Sequence, residues 1–223
     1  MLVMRLKIGV GDVEKIREIG RAIRRGGVIV YPTDTLYGIG GDPNNRSAVR
    51  RILEIKSRDY GKMPVLVSSI ERAASLAIVS EAALFLMGKF WPGALTLVLP
   101  KTPSVPEEVS GGGMLGIRMP NHSLALAIID EAGGALIGTS ANIHGSKPAT
   151  SADELDPSIE GKVDFVVDGG RVPIGRPSTV VQIIEDQNSP ARVKAKPEVK
   201  VIREGAISGE VIISALEEWR GIK

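Results

Sequence analysis

Gly26-Gly27-Val28-Ile29-Val30-Tyr31-Pro32-Thr33-Asp34-Thr35 is the stretch that decides the class of fold. Ahead of it, Val13, Ile16, Ile19 and Ile23 recur at helical spacing. A helix is therefore expected over 13–25, with Asp12 as N-cap and the two glycines ending it. The four apolar residues 28–31 then read as a buried strand. Pro32 stops it, and Thr33-Asp34-Thr35 opens a polar loop that runs through Gly38, Gly40 and Gly41. An amphipathic helix handing over to a fully apolar strand is the grammar of an α/β protein.

The alternation continues outward. A helix is expected over about 46–56, with Val49, Ile52 and Leu53 on its inner face, then a strand at 65–67 and helices over about 70–77 and 81–89. Strands at 95–99 and 114–119, a helix near 124–130 and a strand at 135–138 follow. Later strands at 163–167, 179–184 and 199–202 precede a closing helix over about 209–219. Connections vary in length and several neighbouring strands lack an intervening helix, which points to a mixed sheet rather than a regular doubly wound one. The sequence carries no internal repeat, low-complexity tract or interdomain linker, so a single domain over 1–223 is expected.

Composition narrows the chemistry. Aromatic residues make up only 4%, so the core must be aliphatic, and a net charge of +2 confines any basic patch to one place. With no cysteine, thiol nucleophiles and thiolate metal sites are excluded; with only His122 and His144, so is a histidine-rich metal site. No run approaches the roughly 20 apolar residues of a membrane span, and the N-terminus is too quickly interrupted by charge to be a signal peptide, so a cytoplasmic protein with no membrane partner is expected. Neither a P-loop, a dinucleotide fingerprint nor a G-x-S-x-G elbow is present.

What remains are polar loops at strand ends, where α/β proteins place ligands. Thr33-Asp34-Thr35 offers hydroxyls to a small polar ligand, or simply stabilises loop entry. Lys56, Arg58 and Lys62 put three cations within seven residues, able to converge on phosphates or to solvate a helix C-terminus. Thr139-Ser140-Ala141-Asn142 can hold a phosphate or ribose, or form a plain loop. Arg118 ends an apolar strand and needs a partner, either a substrate carboxylate or a structural acid; Arg203 is similarly placed, with Glu204 as its obvious neighbour.

Taken together, Y-P-T-D-T-L-Y-G-I-G at 31–40, K-S-R at 56–58, F-W-P-G-A-L-T-L-V-L at 90–99, G-I-R-M-P at 116–120, T-S-A-N at 139–142 and S-T-V-V at 178–181 resemble the YrdC-type threonylcarbamoyl-AMP synthase family. The resemblance covers about 11–208, and the K-x-R followed far downstream by S-x-N is its most specific part. It implies an α/β fold with a twisted mixed β-sheet and flanking helices around a concave, positively charged cavity. It implies a nucleotidyltransferase reaction in which L-threonine, bicarbonate and ATP give threonylcarbamoyl-AMP and pyrophosphate. The product is then used by a tRNA threonylcarbamoyltransferase to make threonylcarbamoyl-adenosine, so contact with tRNA or double-stranded RNA is a further expectation. Lys56, Arg58, Ser140 and Asn142 match the ATP-holding signature, with Lys62 assisting and Arg203 closing over the nucleotide. Thr33, Thr35, Arg118, Thr139 and Ser178 match positions around the threonine, with Arg118 on its carboxylate. No catalytic nucleophile and no protein-held metal are implied; Mg2+ would travel with ATP.

Three departures stand out. The chain resembles the short form without a second, C-terminal domain; the stretch 185–200 is longer than the family pattern; and Ser68 stands where relatives often have histidine. Two other readings compete. One is an RNA-binding module, which the small charge and scarce aromatics disfavour. The other is a carbamoyl-transfer domain of the hydrogenase-maturation type, which sits in larger, cysteine-bearing chains.

Overall fold

The computed structural model describes residues 4–57, 62–143, 145–184 and 197–222. In chain order its elements are β1 (Met4–Lys7), α1 (Val13–Arg24), β2 (Ile29–Pro32), β3 (Tyr37–Gly40), α2 (Arg46–Ile55), β4 (Val65–Val67), α3 (Ile70–Leu76) and α4 (Glu81–Phe90). They continue with β5 (Leu95–Pro100), α5 (Glu107–Ser110), β6 (Met114–Arg118), α6 (Ser123–Glu131), β7 (Ala135–Ile137) and β8 (Thr139–Ser140). A 3-10 turn (Ala152–Glu154), α7 (Pro157–Glu160), β9 (Phe165–Asp168), β10 (Thr179–Ile184), β11 (Glu198–Arg203) and α8 (Gly209–Ile222) complete the order.

The mixed pairing expected from the sequence holds, but the strands divide between two sheets rather than one. The first has the order β1-β9-β2-β3-β8 and the second β11-β10-β5-β6-β4-β7; each combines parallel and antiparallel pairs. Gly138 alone carries the chain from β7 of the second sheet to β8 of the first. A Cβ there would lie 2.8 Å from Leu66 Cδ1, so only glycine lets the joint close.

Three strands escape the sequence pattern, one of them β8, expected as loop and antiparallel to β3. The segment 37–40, expected as loop, is β3, antiparallel to β2. Its glycines serve close approach, not flexibility: a Cβ on Gly40 would sit 2.6 Å from the Tyr31 ring and 2.9 Å from the Ile137 carbonyl. β1 is an exposed edge strand whose Met-Arg-Leu-Lys composition hides its pairing with β9.

Asp12 does not cap α1 as expected. Its carboxylate accepts from Gly9 N at 2.8 Å, and no side-chain bond reaches the helix N–H groups. α1 ends where expected, with Gly26 at φ 95°. α2 has a working cap in Asn45, whose Oδ1 accepts from Ser47 N and Ala48 N, both at 3.1 Å.

Two apolar clusters result. Ile16, Ile19 and Ile23 of α1 and Leu124, Ile128 and Ile129 of α6 pack with Ile29, Tyr31 and Val167 of the first sheet. The larger cluster joins α2, α4 and α8 to strands of both sheets through Ile52, Leu86, Ile212, Val30, Leu97 and Ile117. Among the described residues no helix is long and apolar enough to cross a membrane.

Candidate functional site

A cavity of about 630 Å³ lies between the sheets. The first sheet contributes the β2–β3 turn and β8; the second contributes the inward-facing positions of β4, β5, β6, β10 and β11. Strand alternation explains the division along β5. Leu95, Leu97 and Leu99 enter the core, while Thr96 and Val98 line the cavity. Of the described lining residues, Lys62, Arg118 and Arg203 are cationic and none is acidic.

The β2–β3 turn is built around Thr33. Its Oγ1 accepts from Thr35 N and Leu36 N, each at 3.2 Å, and donates to Leu36 O at 2.7 Å. This hydroxyl therefore performs the loop-entry role while lining the cavity. Thr35 Oγ1 lies 3.1 Å from it and accepts from Arg118 Nη1 at 2.8 Å.

Arg118 ends β6, almost fully buried, and three of its nitrogens are held. Nε donates to Gly93 O at 2.8 Å, Nη1 to Thr35, and Nη2 to the Asp34 carboxylate. The Trp91-Pro92-Gly93 segment is shaped to present that carbonyl: a Cβ on Gly93 would collide with Phe90 O. Burial pulls the Arg118 pKa down and the neighbouring Asp34 opposes the drop. The structural acid expected as one of two partners is thus present. Of five guanidinium N–H groups, the remaining two face no protein acceptor among the described residues, which suits a bidentate carboxylate.

Ser178 precedes β10. Its Oγ sits 2.8 Å from Thr96 Oγ1, and its carbonyl and hydroxyl accept from Arg203 Nη2 at 2.8 and 3.3 Å. β11 pairs with β10 so that Arg203 lies opposite Val180, beside a register shift. This places Arg203 on the cavity, in contact with Ser178. Glu204 is not its partner; that carboxylate accepts from Gly209 N at 3.1 Å. No described acid pairs with Arg203, whose pKa is lowered by desolvation and by repulsion from Arg118.

Lys56 and Asn142 stand behind the lining rather than on it. The buried Lys56 ammonium donates to Ser140 O at 2.8 Å, to Asn142 O, and to Asn142 Oδ1 at 3.1 Å. Ser140 Oγ donates to the same Oδ1 at 2.6 Å, and Asn142 Nδ2 donates to Ser146 O at 2.6 Å. Lys56 and the S-x-N segment are therefore one unit, with Ser140 and Thr139 presented to the cavity. Lys62 lines the cavity from the other side, beside the Ser110-Gly111-Gly112-Gly113 loop. Arg58, His144 and most of the long 185–200 stretch lie outside the described residues. Ser68 bonds Asp130 at 3.3 Å, away from the cavity lining. His122 caps α6, its Nδ1 accepting from Ala125 N at 3.2 Å.

The family model for Sua5, YciO and YrdC proteins, described as "Telomere recombination", matches residues 21–205. The chain belongs to this family. Within it, a threonylcarbamoyl-AMP synthase of Pyrococcus abyssi is 38% identical over 174 residues, which are 77% of this chain and 51% of that protein. This chain thus spans about half the length of that relative. A threonylcarbamoyl-AMP synthase of Thiobacillus denitrificans is 37% identical over 164 residues, 72% of this chain and 87% of that one. The structure of P. abyssi Sua5 complexed with L-threonine superposes with a TM-score of 0.84 at 32% identity, covering 96% of this chain and 61% of that one.

Asp34, behind the cavity wall, and Thr96, on it, were not singled out from sequence. Asp34 read as turn chemistry and is instead the buried partner of Arg118. Thr96, inside an apolar strand, could have been found from alternation, since it is the polar residue on the face opposite Leu95 and Leu97.

Proposed function

We propose that this chain is an L-threonylcarbamoyl-AMP synthase, making threonylcarbamoyl-AMP and pyrophosphate from L-threonine, bicarbonate and ATP. One observation supports it above the others. Arg118, already paired with Asp34, shares a cavity and its clustered hydroxyls with Arg203 and Lys62. No described acid pairs with those two or lines that cavity, so anionic ligands supply the countercharge they lack. The names of the relatives from P. abyssi and T. denitrificans, and the threonine in the P. abyssi structure, agree with that reading.

The chemistry needs positioning more than a nucleophile of the protein's own. The threonine amine and bicarbonate give a carbamate and water. The carbamate oxygen attacks the α-phosphorus of ATP, and pyrophosphate leaves with its electron pair. Arg118, with two N–H groups to spare, takes the threonine carboxylate, and Thr35, Thr139 and Ser178 surround it; Thr33 supports them by holding the turn. Lys62, Ser140 and Arg203 face the nucleotide, while Lys56 and Asn142 shape the loop that carries Ser140; Arg58 completes the phosphate contacts. Fixed charges in a secluded cavity act without reorganising during reaction. The described lining residues do not fit a protein-held divalent ion, and the described residues contain no cluster of acids or histidines suited to one. Mg2+ enters as the counterion of the triphosphate substrate. The product passes to a tRNA threonylcarbamoyltransferase in the cytoplasm, and any contact with tRNA serves that transfer.

The test is pyrophosphate release by the purified chain with MgATP and bicarbonate. L-threonine should stimulate it strongly and L-valine, which lacks the hydroxyl, far less. Equal rates with the two amino acids would remove threonine from the assignment. Binding of RNA with no amino-acid-dependent turnover would favour a binding module instead.

A further inference from the structure

Asp34 and Arg118 form a fully enclosed ion pair, their side chains 3% and 5% exposed. Such a pair is weak evidence of stabilisation, because desolvation offsets most of the attraction and a neutral pairing of similar shape would serve as well. The arrangement is also incomplete. Asp34 Oδ1 accepts from Arg118 Nη2, but Oδ2 is buried with no hydrogen-bond partner among the described residues. An acid left half satisfied inside a protein calls for a reason beyond folding.

Its placement supplies one. Asp34 sits at the centre of the β2–β3 turn, whose geometry Thr33 fixes through three hydrogen bonds. The next residue, Thr35, accepts from the neighbouring Nη1 of the same guanidinium, and the Gly93 carbonyl accepts from Nε. The plane of the guanidinium is therefore set by three anchors from two segments of chain. Among them only Asp34 offers a carboxylate, the acceptor that binds a guanidinium most strongly and directionally.

We propose that Asp34 is a positioning residue. It holds the Arg118 guanidinium in one orientation, so that the two N–H groups left over form a ready-made fork for a ligand carboxylate. The inference rests on the reading of Arg118 as the receptor for the amino-acid carboxylate. Charge-assisted, bidentate recognition depends on planar alignment, and a fork free to rotate forfeits that advantage.

The experiment is calorimetric titration of L-threonine and of L-threonine amide into the full chain. It is run on the parent, Asp34→Asn, Arg118→Lys and the double variant. Exchanging a charge-assisted bond for a neutral one is worth about 1.4 kcal/mol, a tenfold change in affinity. Asp34→Asn should weaken L-threonine about tenfold while leaving the amide, which has no carboxylate to align, within about twofold. The double variant should bind no more weakly than Arg118→Lys alone, since both changes disable one fork. Asp34→Asn binding L-threonine like the parent overturns the inference, as do equal losses for threonine and amide or additive losses in the double variant. If the parent itself fails to bind L-threonine, the carboxylate reading of Arg118 falls, and this inference with it; a binding parent with an unaffected Asp34→Asn refutes only the latter. Should Asp34→Asn not fold, Asp34→Glu keeps the buried charge but displaces the fork by a methylene. It should then show the same selective loss, and undiminished threonine binding would overturn the proposal.

Discussion

Replacing Lys56 by methionine separates building the site from contacting the nucleotide. The ammonium is buried and donates to Ser140 O, Asn142 O and Asn142 Oδ1. Methionine fills the same stem but leaves those three acceptors without the cation. A hydrogen bond from a charged group contributes about 1.5–3 kcal/mol when fully buried. Ser140 and Asn142 are only half-buried, so water can recover part of each bond, and about 1 kcal/mol per acceptor is a fair share. The expected loss is about 3 kcal/mol, a fall in Tm of about 6–12 °C for a chain of this size. That loss should be present with no nucleotide in solution, because it comes from the loop. In pyrophosphate-release assays the KM for ATP should rise at least tenfold while the KM for threonine changes little, since Arg118 and Thr35 are anchored elsewhere. Circular dichroism melts of the free protein and steady-state kinetics measure both. A Lys56→Met protein with the parent's Tm and a raised ATP KM would refute the reasoning, because the ammonium would then act on the nucleotide and not on the loop.

Thr96→Val removes the hydroxyl that meets Ser178 Oγ at 2.8 Å; a cost of about 1 kcal/mol and a several-fold rise in threonine KM are expected from denaturation and kinetics. Gly205→Ala forces a Cβ into the Pro177 carbonyl and the Ser178 backbone, so it should destabilise by about 1–3 kcal/mol and displace Arg203. A crystal structure of that variant with Arg203 still on Ser178 would contradict this. Burial lowers the His122 pKa, with Asp34 opposing, and its unprotonated Nδ1 caps α6. The unfolded chain therefore binds more protons below about pH 6.5, so the contribution of His122 is complete above that value and is lost as pH falls through the folded pKa. Urea midpoints across pH 5–7 should show this slope, and His122→Asn, which can still cap, should flatten it.

The elements that were legible in the sequence are those whose pattern is local. Ile16, Ile19 and Ile23 announce α1, and Val28 to Tyr31 announce β2, because helix and buried strand each impose their own period on neighbouring residues. β3 was hidden by Gly38 and Gly40, which look like loop residues until the approach of the Tyr31 ring and the Ile137 carbonyl is known. The division into two sheets was hidden too, since nothing near Gly138 reports which strands lie on either side of it. The site shows the same limit. Thr33, Thr35, Arg118 and Thr139 each had an ordinary structural reading, while Ser178 was named only through the resemblance. Two of the four fill that structural role while also lining the cavity: Thr33 ties the turn, and Arg118 finds a structural acid. Their meeting in one cavity depends on pairings between residues more than 80 positions apart, such as Arg118 with Thr35, which no local pattern encodes. Glu204 shows the converse, an adjacent acid that local reasoning favours and the fold spends on Gly209.

If threonine becomes a carbamate here and is then joined to AMP, the bicarbonate carbon must enter the adenylate. Supplying the purified chain with L-threonine, MgATP and isotopically labelled bicarbonate, and weighing the adenylate by mass spectrometry, tests it most directly. Threonylcarbamoyl-AMP carrying one labelled carbon should form in step with pyrophosphate. An unlabelled threonyl adenylate, or no adenylate from a folded protein that binds both substrates, would contradict it.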